Sequence, residues 1–143
     1  MITIATNNDY TRLLEIWEQS VKATHHFLPI DYFEEIKTLL PSIFPQLPVY
    51  TWKDNNNIIQ AFASVADHKI EMLFVNPDSM GKGIGKELLN YCVKELQADR
   101  VDVNEQNEQA IGFYKKMGFE VYDRHELDGM GRPFPLLLMK YSA

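Results

Sequence analysis

A chain of 143 residues with 45% hydrophobic and 24% charged residues has the composition of one globular domain, long enough to bury a real core. A net charge of −6 argues against a nucleic-acid partner, which would call for a basic face, and weakly favours a cationic substrate. One cysteine fits a reducing compartment, no stretch nears the ~20 apolar residues of a membrane span, and Met1–Ala5 lacks the features of a signal peptide; the expectation is a cytoplasmic protein with no membrane partner.

Residues 2–5 read as a short strand. Asn7 or Asn8 can cap a helix whose apolar face is Tyr10, Leu13, Leu14, Trp17 and Val21. Pro29 opens a second helix to about Leu40, and Pro41, Pro45 and Pro48 then forbid its continuation. Val49–Lys53 and Ile58–Val65 read as strands joined by Asp54–Asn57, whose residue types tolerate hairpin geometry. A turn at Ala66–His68 leads into a strand over Lys69–Val75. The next helix sets Ile84, Leu88, Leu89, Cys92, Val93 and Leu96 on one face. Arg100–Asn104 is a strand, Asn107–Met117 a helix, and two last strands flank the turn at Asp128–Pro133. The order βααβββαβαββ predicts an α/β fold with a mixed sheet flanked by helices.

Between the fourth strand and third helix, Met80–Leu89 reads Met-Gly-Lys-Gly-Ile-Gly-Lys-Glu-Leu-Leu. Glycine inside a helix costs about 1 kcal/mol relative to alanine, so Gly83 and Gly85 at a helix start need a reason. One reason is close packing of helix on strand. The other is a cradle for a phosphate, since N–H groups at a helix N-terminus converge on an anion where no Cβ intervenes. The pattern is not a P-loop, because Met80 stands where the first glycine belongs and Glu87 where the metal-binding hydroxyl belongs. Nor is it a dinucleotide fingerprint, whose last position falls on Lys86 or Leu88.

The filled pattern Met80-x-x-Gly83-x-Gly85 resembles the acyl-CoA loop, Arg/Gln-x-x-Gly-x-Gly/Ala, of the GCN5-related N-acetyltransferases (GNAT). A second segment, Asn107-x-x-Ala110-x-x-Phe113-Tyr114 followed by Gly118-Phe119, resembles that family's other signature. Ala23-Thr-His25, Val103–Gln109 and Gly131-Arg-Pro-Phe-Pro-Leu-Leu look like its YjaB-type bacterial branch. The resemblance spans nearly the whole chain. It implies the GNAT fold with a mostly antiparallel sheet, acetyl-CoA as acyl donor, and an amine acceptor, either a small molecule or a protein lysine or N-terminus.

The resemblance further puts the CoA pyrophosphate on amides around Gly81, Lys82, Gly83, Ile84, Gly85 and Lys86. It lays the pantetheine arm along Leu73, Phe74 and Val75, with an amide near Leu73 polarising the acetyl carbonyl, adds a CoA contact at Asn107, and makes Tyr114 the proton donor to the departing thiolate. Residue types alone leave Asn107 a helix cap and Tyr114 part of a core stripe with Ala110, Phe113 and Met117. Glu71 is a candidate general base if burial raises its pKa; its other reading is a solvated or salt-bridged strand end. His25, between the first two helices, is a second candidate base or a structural histidine. Cys92 lies on an apolar face without a paired histidine, which argues against an acyl-cysteine, and no spacing suggests a metal. Met80, in place of arginine or glutamine, is the one feature favouring a rival: a catalytically idle acyl-CoA sensor or interaction protein. Monomer and homodimer are both open, with Phe134 and the proline-rich stretches as a candidate interface.

Overall fold

A computed structural model describes residues 1–142. The strands are β1 (Ile2–Ile4), β2 (Val49–Lys53), β3 (Ile59–Ala66), β4 (Lys69–Val75), β5 (Arg100–Asn104), β6 (Phe119–His125) and β7 (Leu136–Tyr141). The helices are α1 (Tyr10–Thr24), α2 (Ile30–Ile43), α3 (Ile84–Lys94) and α4 (Glu108–Lys116). The seven strands form one sheet in the order β1-β2-β3-β4-β5-β7-β6, antiparallel except for the parallel β4–β5 pair. Element order and sheet type are those read from the sequence. Among the described residues no helix is long and apolar enough to cross a membrane.

The two apolar faces of the sheet explain the helical stripes. Leu13, Trp17 and Val21 of α1 and Phe33 and Leu40 of α2 are buried with Phe62 of β3 on one face. Leu88, Leu89 and Cys92 of α3 pack on Ala61, Ala63, Val101 and Val103 on the other. Each fully buried leucine contributes about 1.5–3 kcal/mol, so these stripes hold the helices to their faces.

Three local expectations are corrected. The first helix is not capped by Asn7 or Asn8. The Thr6 N–H donates to Asp9 Oδ2 at 2.8 Å, which caps a 3-10 turn over Asn7–Asp9 ahead of α1. Pro41 does not end α2, which runs on to Ile43. In the last turn a proline forfeits a single hydrogen bond, and the burial of Leu40 and Phe44 on either side holds the segment in place. The helix α3 ends at Lys94, and Leu96 reaches the same apolar cluster from the turn beyond, where Gln97 takes a left-handed φ of 57°. Phe134 is half-buried: it stacks on Tyr32 at 5.3 Å and packs on Phe27 at 6.3 Å.

Of the three register slips that interrupt the regular pairing of the sheet, one leaves Tyr122 extra on β6 and two lie near the cleft. In the β3–β4 pair Ser64 faces Met72 and Val65 faces Ile70, so Glu71 is an extra residue on β4. In the β2–β3 pair Trp52 faces Ala61 and Lys53 faces Ile59, so Gln60 is extra on β3. Such bulges bend a strand and re-aim a side chain.

Candidate active site

The bulge at Glu71 coincides with a parting of strands. β4 pairs with β5 only at Lys69–Arg100 and Ile70–Val101, and beyond that point the two diverge. β5 goes on pairing with β7 up to Asn104, while β4 keeps its partner β3 up to Val75. From Met72 to Val75 the β5 side of β4 is therefore an open edge, and its backbone groups are free for an added strand-like ligand. The gap is a cleft of about 430 Å³, within the range of small-molecule sites. It is lined by Leu73, Phe74 and Val75, by the glycine loop, and by Asn104, Asn107, Phe113 and Tyr114.

The open edge runs directly into the loop. Asn76 caps a 3-10 turn over Pro77–Ser79, then Met80 leads to Gly81 and Gly83, at φ of 80° and 82°. Those left-handed values account for both glycines. A Cβ on either would meet nothing within 4 Å, so close packing is not what they serve. Gly85 is different: a Cβ there would lie 3.5 Å from Val75 and 3.7 Å from Phe113, which is ordinary van der Waals contact, so packing does not require a glycine here. The first helical hydrogen bond of α3 runs from Glu87 N–H to the Gly83 carbonyl at 3.0 Å. The N–H groups of Ile84, Gly85 and Lys86 thus have no acceptor within the helix and open toward the cleft mouth with the positive end of the dipole. Lys86 lines the cleft; Lys82 is exposed but is not part of its wall. Met80 is on the rim, 37% exposed.

Tyr114 is 6% exposed, within T-shaped contact of Phe113 and Phe119, and still lines the cleft. Burial, and secondarily Cys92, push its phenol well above the ordinary value near 10. It therefore keeps its proton at working pH. Among the described residues its oxygen has no hydrogen-bond partner. Asn107 caps α4 through a hydrogen bond from the Ala110 N–H at 3.2 Å, and its Nδ2 lies 3.5 Å from His25 Nε2. His25, the C-cap of α1, also meets Thr24 Oγ1 through Nδ1 at 2.7 Å. Burial, then the neighbouring His26, lower its pKa from 6.5, so the imidazole is neutral at pH 7. Glu71 lines the cleft, but it is exposed at its bulge. The extra residue departs there from the regular alternation of the strand.

Ser20, Thr24, Asp102 and Gln109 also line the cleft, and the motifs did not reveal them. Ser20 and Thr24 interrupt the apolar stripe of α1 one turn apart, which is the signal available in the sequence. Cys92 is fully buried and its thiol is pushed up to about 12 by that burial. The native chain is expected to resist alkylation at pH 8, and the urea-unfolded chain to be modified within minutes; rapid labelling of the native thiol contradicts this packing.

An open strand edge, an amide-rich glycine turn and a buried phenol lie in one cleft, the arrangement that the resemblance to acyl-CoA-dependent transferases implies. Comparison with known proteins agrees. Residues 45–121 match the family described as Acetyltransferase (GNAT) domain. The chain is 39% identical over 129 residues to peptidyl-lysine N-acetyltransferase YjaB of Escherichia coli (strain K12), covering 90% of this chain and 88% of that one. The solution structure of apo-form YjaB from Escherichia coli superimposes with a TM-score of 0.93 at 35% identity, over 100% of this chain and 97% of that one. A PaiA N-acetyltransferase from Thermoplasma acidophilum in complex with coenzyme A shares the fold, with a TM-score of 0.72 at 22% identity over 99% of each chain. The chain belongs to the GNAT acetyltransferase family. It is an N-acetyltransferase, and its acyl donor is acetyl-CoA.

Proposed function

We propose that this enzyme acetylates the side-chain amine of lysine in a peptide or protein by direct transfer from acetyl-CoA. The acceptor is supported by the 39% identity to a peptidyl-lysine N-acetyltransferase over nine-tenths of the chain, and the net charge of −6 suits a cationic partner. The observation that carries the mechanism is the open edge of β4 running into the amides of the glycine turn. The cleft residues fit the donor: the turn would hold the pyrophosphate and the edge from Leu73 to Val75 the pantetheine arm. When bound, acetyl-CoA supplies an acetyl group activated as a thioester.

The chain's own groups then have three tasks. A backbone N–H near Leu73 stabilises negative charge developing on the acyl oxygen. Tyr114 hands its proton to the departing sulfur as charge accumulates there. His25, neutral and joined to Asn107, takes the proton from the amine directly or through a water, and Glu71 is the second candidate for that task. Most of the acceleration comes from holding two reactants together. A cytoplasmic setting, as one domain, completes the reading, and the buried thiol of Cys92 is compatible with a reducing compartment.

A lysine amine has a pKa near 10.4, so little of it is nucleophilic at pH 7. His25→Ala is expected to depress kcat/KM near pH 7 and to recover as pH rises and the free amine appears. In the parent, protonation of His25 should bring the rate down only at a pH lower than the ordinary imidazole value of 6.5, because burial lowers its pKa. Glu71→Gln is expected to retain the parent profile. A pH series on both variants decides; loss of the neutral-pH rate in Glu71→Gln alone transfers the role to Glu71.

A further inference from the structure

We propose that Gln60 is a positioning residue that holds the glycine turn in register for the CoA pyrophosphate; this role rests on acetyl-CoA occupying the cleft as donor. Gln60 is the extra residue of β3, and its bulge frees the side chain from the regular sheet. Its carbonyl accepts from the Asn76 N–H at 2.8 Å. Its Oε1 accepts from Asn76 Nδ2 at 2.9 Å and from Ser79 Oγ at 3.0 Å. One residue thus grips both ends of the 3-10 turn that delivers the chain to Gly81.

The grip is itself anchored. Gln60 Nε2 donates to Asp54 Oδ2 at 3.0 Å, and Asp54 Oδ1 accepts from the N–H groups of Asn56 and Ile58 at 2.9 and 3.0 Å. The Ile58 amide first, then Gln60, hold the Asp54 carboxyl below the usual carboxylate range. The route runs from the β2–β3 hairpin through Asp54 and Gln60 to Ser79, which is 7% exposed and lines the cleft.

The turn needs such a hold. Two left-handed glycines make its backbone soft, and Met80, Gly81, Lys82 and Gly83 are all exposed. Amides bind an anion well only when they are already aimed at it, since ordering them on binding subtracts from affinity.

The test compares acetyl-CoA with acetyl-pantetheine, which carries the same thioester without the pyrophosphate, using a lysine peptide as acceptor. Gln60→Glu keeps both acceptor contacts to the turn but sets a second carboxylate against Asp54. It should raise KM for acetyl-CoA about tenfold, the equivalent of one weakened charge-assisted hydrogen bond, with kcat within about twofold of the parent. KM for acetyl-pantetheine should not move. Adding Asp54→Asn restores a donor to residue 60 and should return KM for acetyl-CoA to within about twofold of the parent. Ser79→Ala leaves the hairpin untouched and should raise the same KM about threefold.

An unchanged acetyl-CoA KM in both Gln60→Glu and Ser79→Ala, or an equal rise for acetyl-pantetheine, overturns the proposal. So does a double variant that melts like the parent yet is not rescued. If the parent has the same KM for both donors, the pyrophosphate reading itself fails. That outcome is distinct from a parent that discriminates while its variants do not change.

Discussion

Tyr114→Phe is expected to lower kcat by roughly 10²–10⁴, the range of a lost general acid, with CoA affinity and melting temperature close to the parent's. The substitution removes one oxygen from a ring packed against Phe113 and Phe119, so the apolar contacts survive. Because Tyr114 is buried and its pKa is raised, the phenol carries its proton across the assay range. The deficit should be largest at high pH, where water is a poor proton source. Steady-state kinetics with calorimetry and a thermal melt separate the possibilities. An unchanged rate returns Tyr114 to a packing role, while a fall in melting temperature with a proportional fall in rate marks a stability effect.

Gly83→Val should abolish measurable CoA binding, whereas Met80→Ala should keep most of it. Gly83 sits at φ 82° at the start of α3, a region a β-branched residue enters only with strain. Relief of that strain swings the N–H groups of Ile84 and Gly85 off target. Losing two charge-assisted hydrogen bonds of about 1.5–3 kcal/mol each weakens binding by at least about a hundredfold. Met80 contributes a rim side chain, not an amide, so truncating it spares the cradle. Calorimetry of both variants gives the answer, and equal binding by both contradicts the placement of the pyrophosphate. A Met80 variant as weak as the Gly83 variant moves the affinity from backbone to side chain.

The parts of this site legible in the sequence are those with a local cause. A strand, alternating glycines and an amphipathic helix follow one another directly between Lys69 and Lys94, so the turn could be read directly. Asn107 was legible as a cap for the same reason, and it caps α4. What stayed hidden depends on pairing between distant segments. Neither bulge can be seen in one strand alone, because a register slip exists only relative to a partner: Glu71 against Ser64 and Val65, Gln60 against Trp52 and Lys53. The exposed position of Glu71 and the anchoring role of Gln60 both arise from those slips. The Thr6–Asp9 cap was within reach, since the pair spans three residues, but two asparagines beside it matched the same rule. Pro41 inside α2 shows tertiary burial outweighing a local breaker at a helix end.

The docking of the β6–β7 connection on α2 was equally illegible. Tyr32 donates to Asp128, Arg132 pairs with Glu35, and the Arg132 guanidinium lies 4.3 Å from the Tyr32 ring. These contacts join residues about a hundred positions apart in the chain and give the connection a fixed shape.

Transfer of acetyl groups from acetyl-CoA to lysine side chains is open to direct observation. A lysine-containing peptide library is incubated with the purified chain and acetyl-CoA, then read by mass spectrometry, with free thiol release followed in parallel. Acetyl groups should appear on lysine side chains, matched one for one by CoA released, and both should nearly vanish with the Tyr114→Phe variant. Tight CoA binding with no acetylated peptide and no thiol release would contradict the transferase function and leave the chain an acyl-CoA-binding protein without that chemistry.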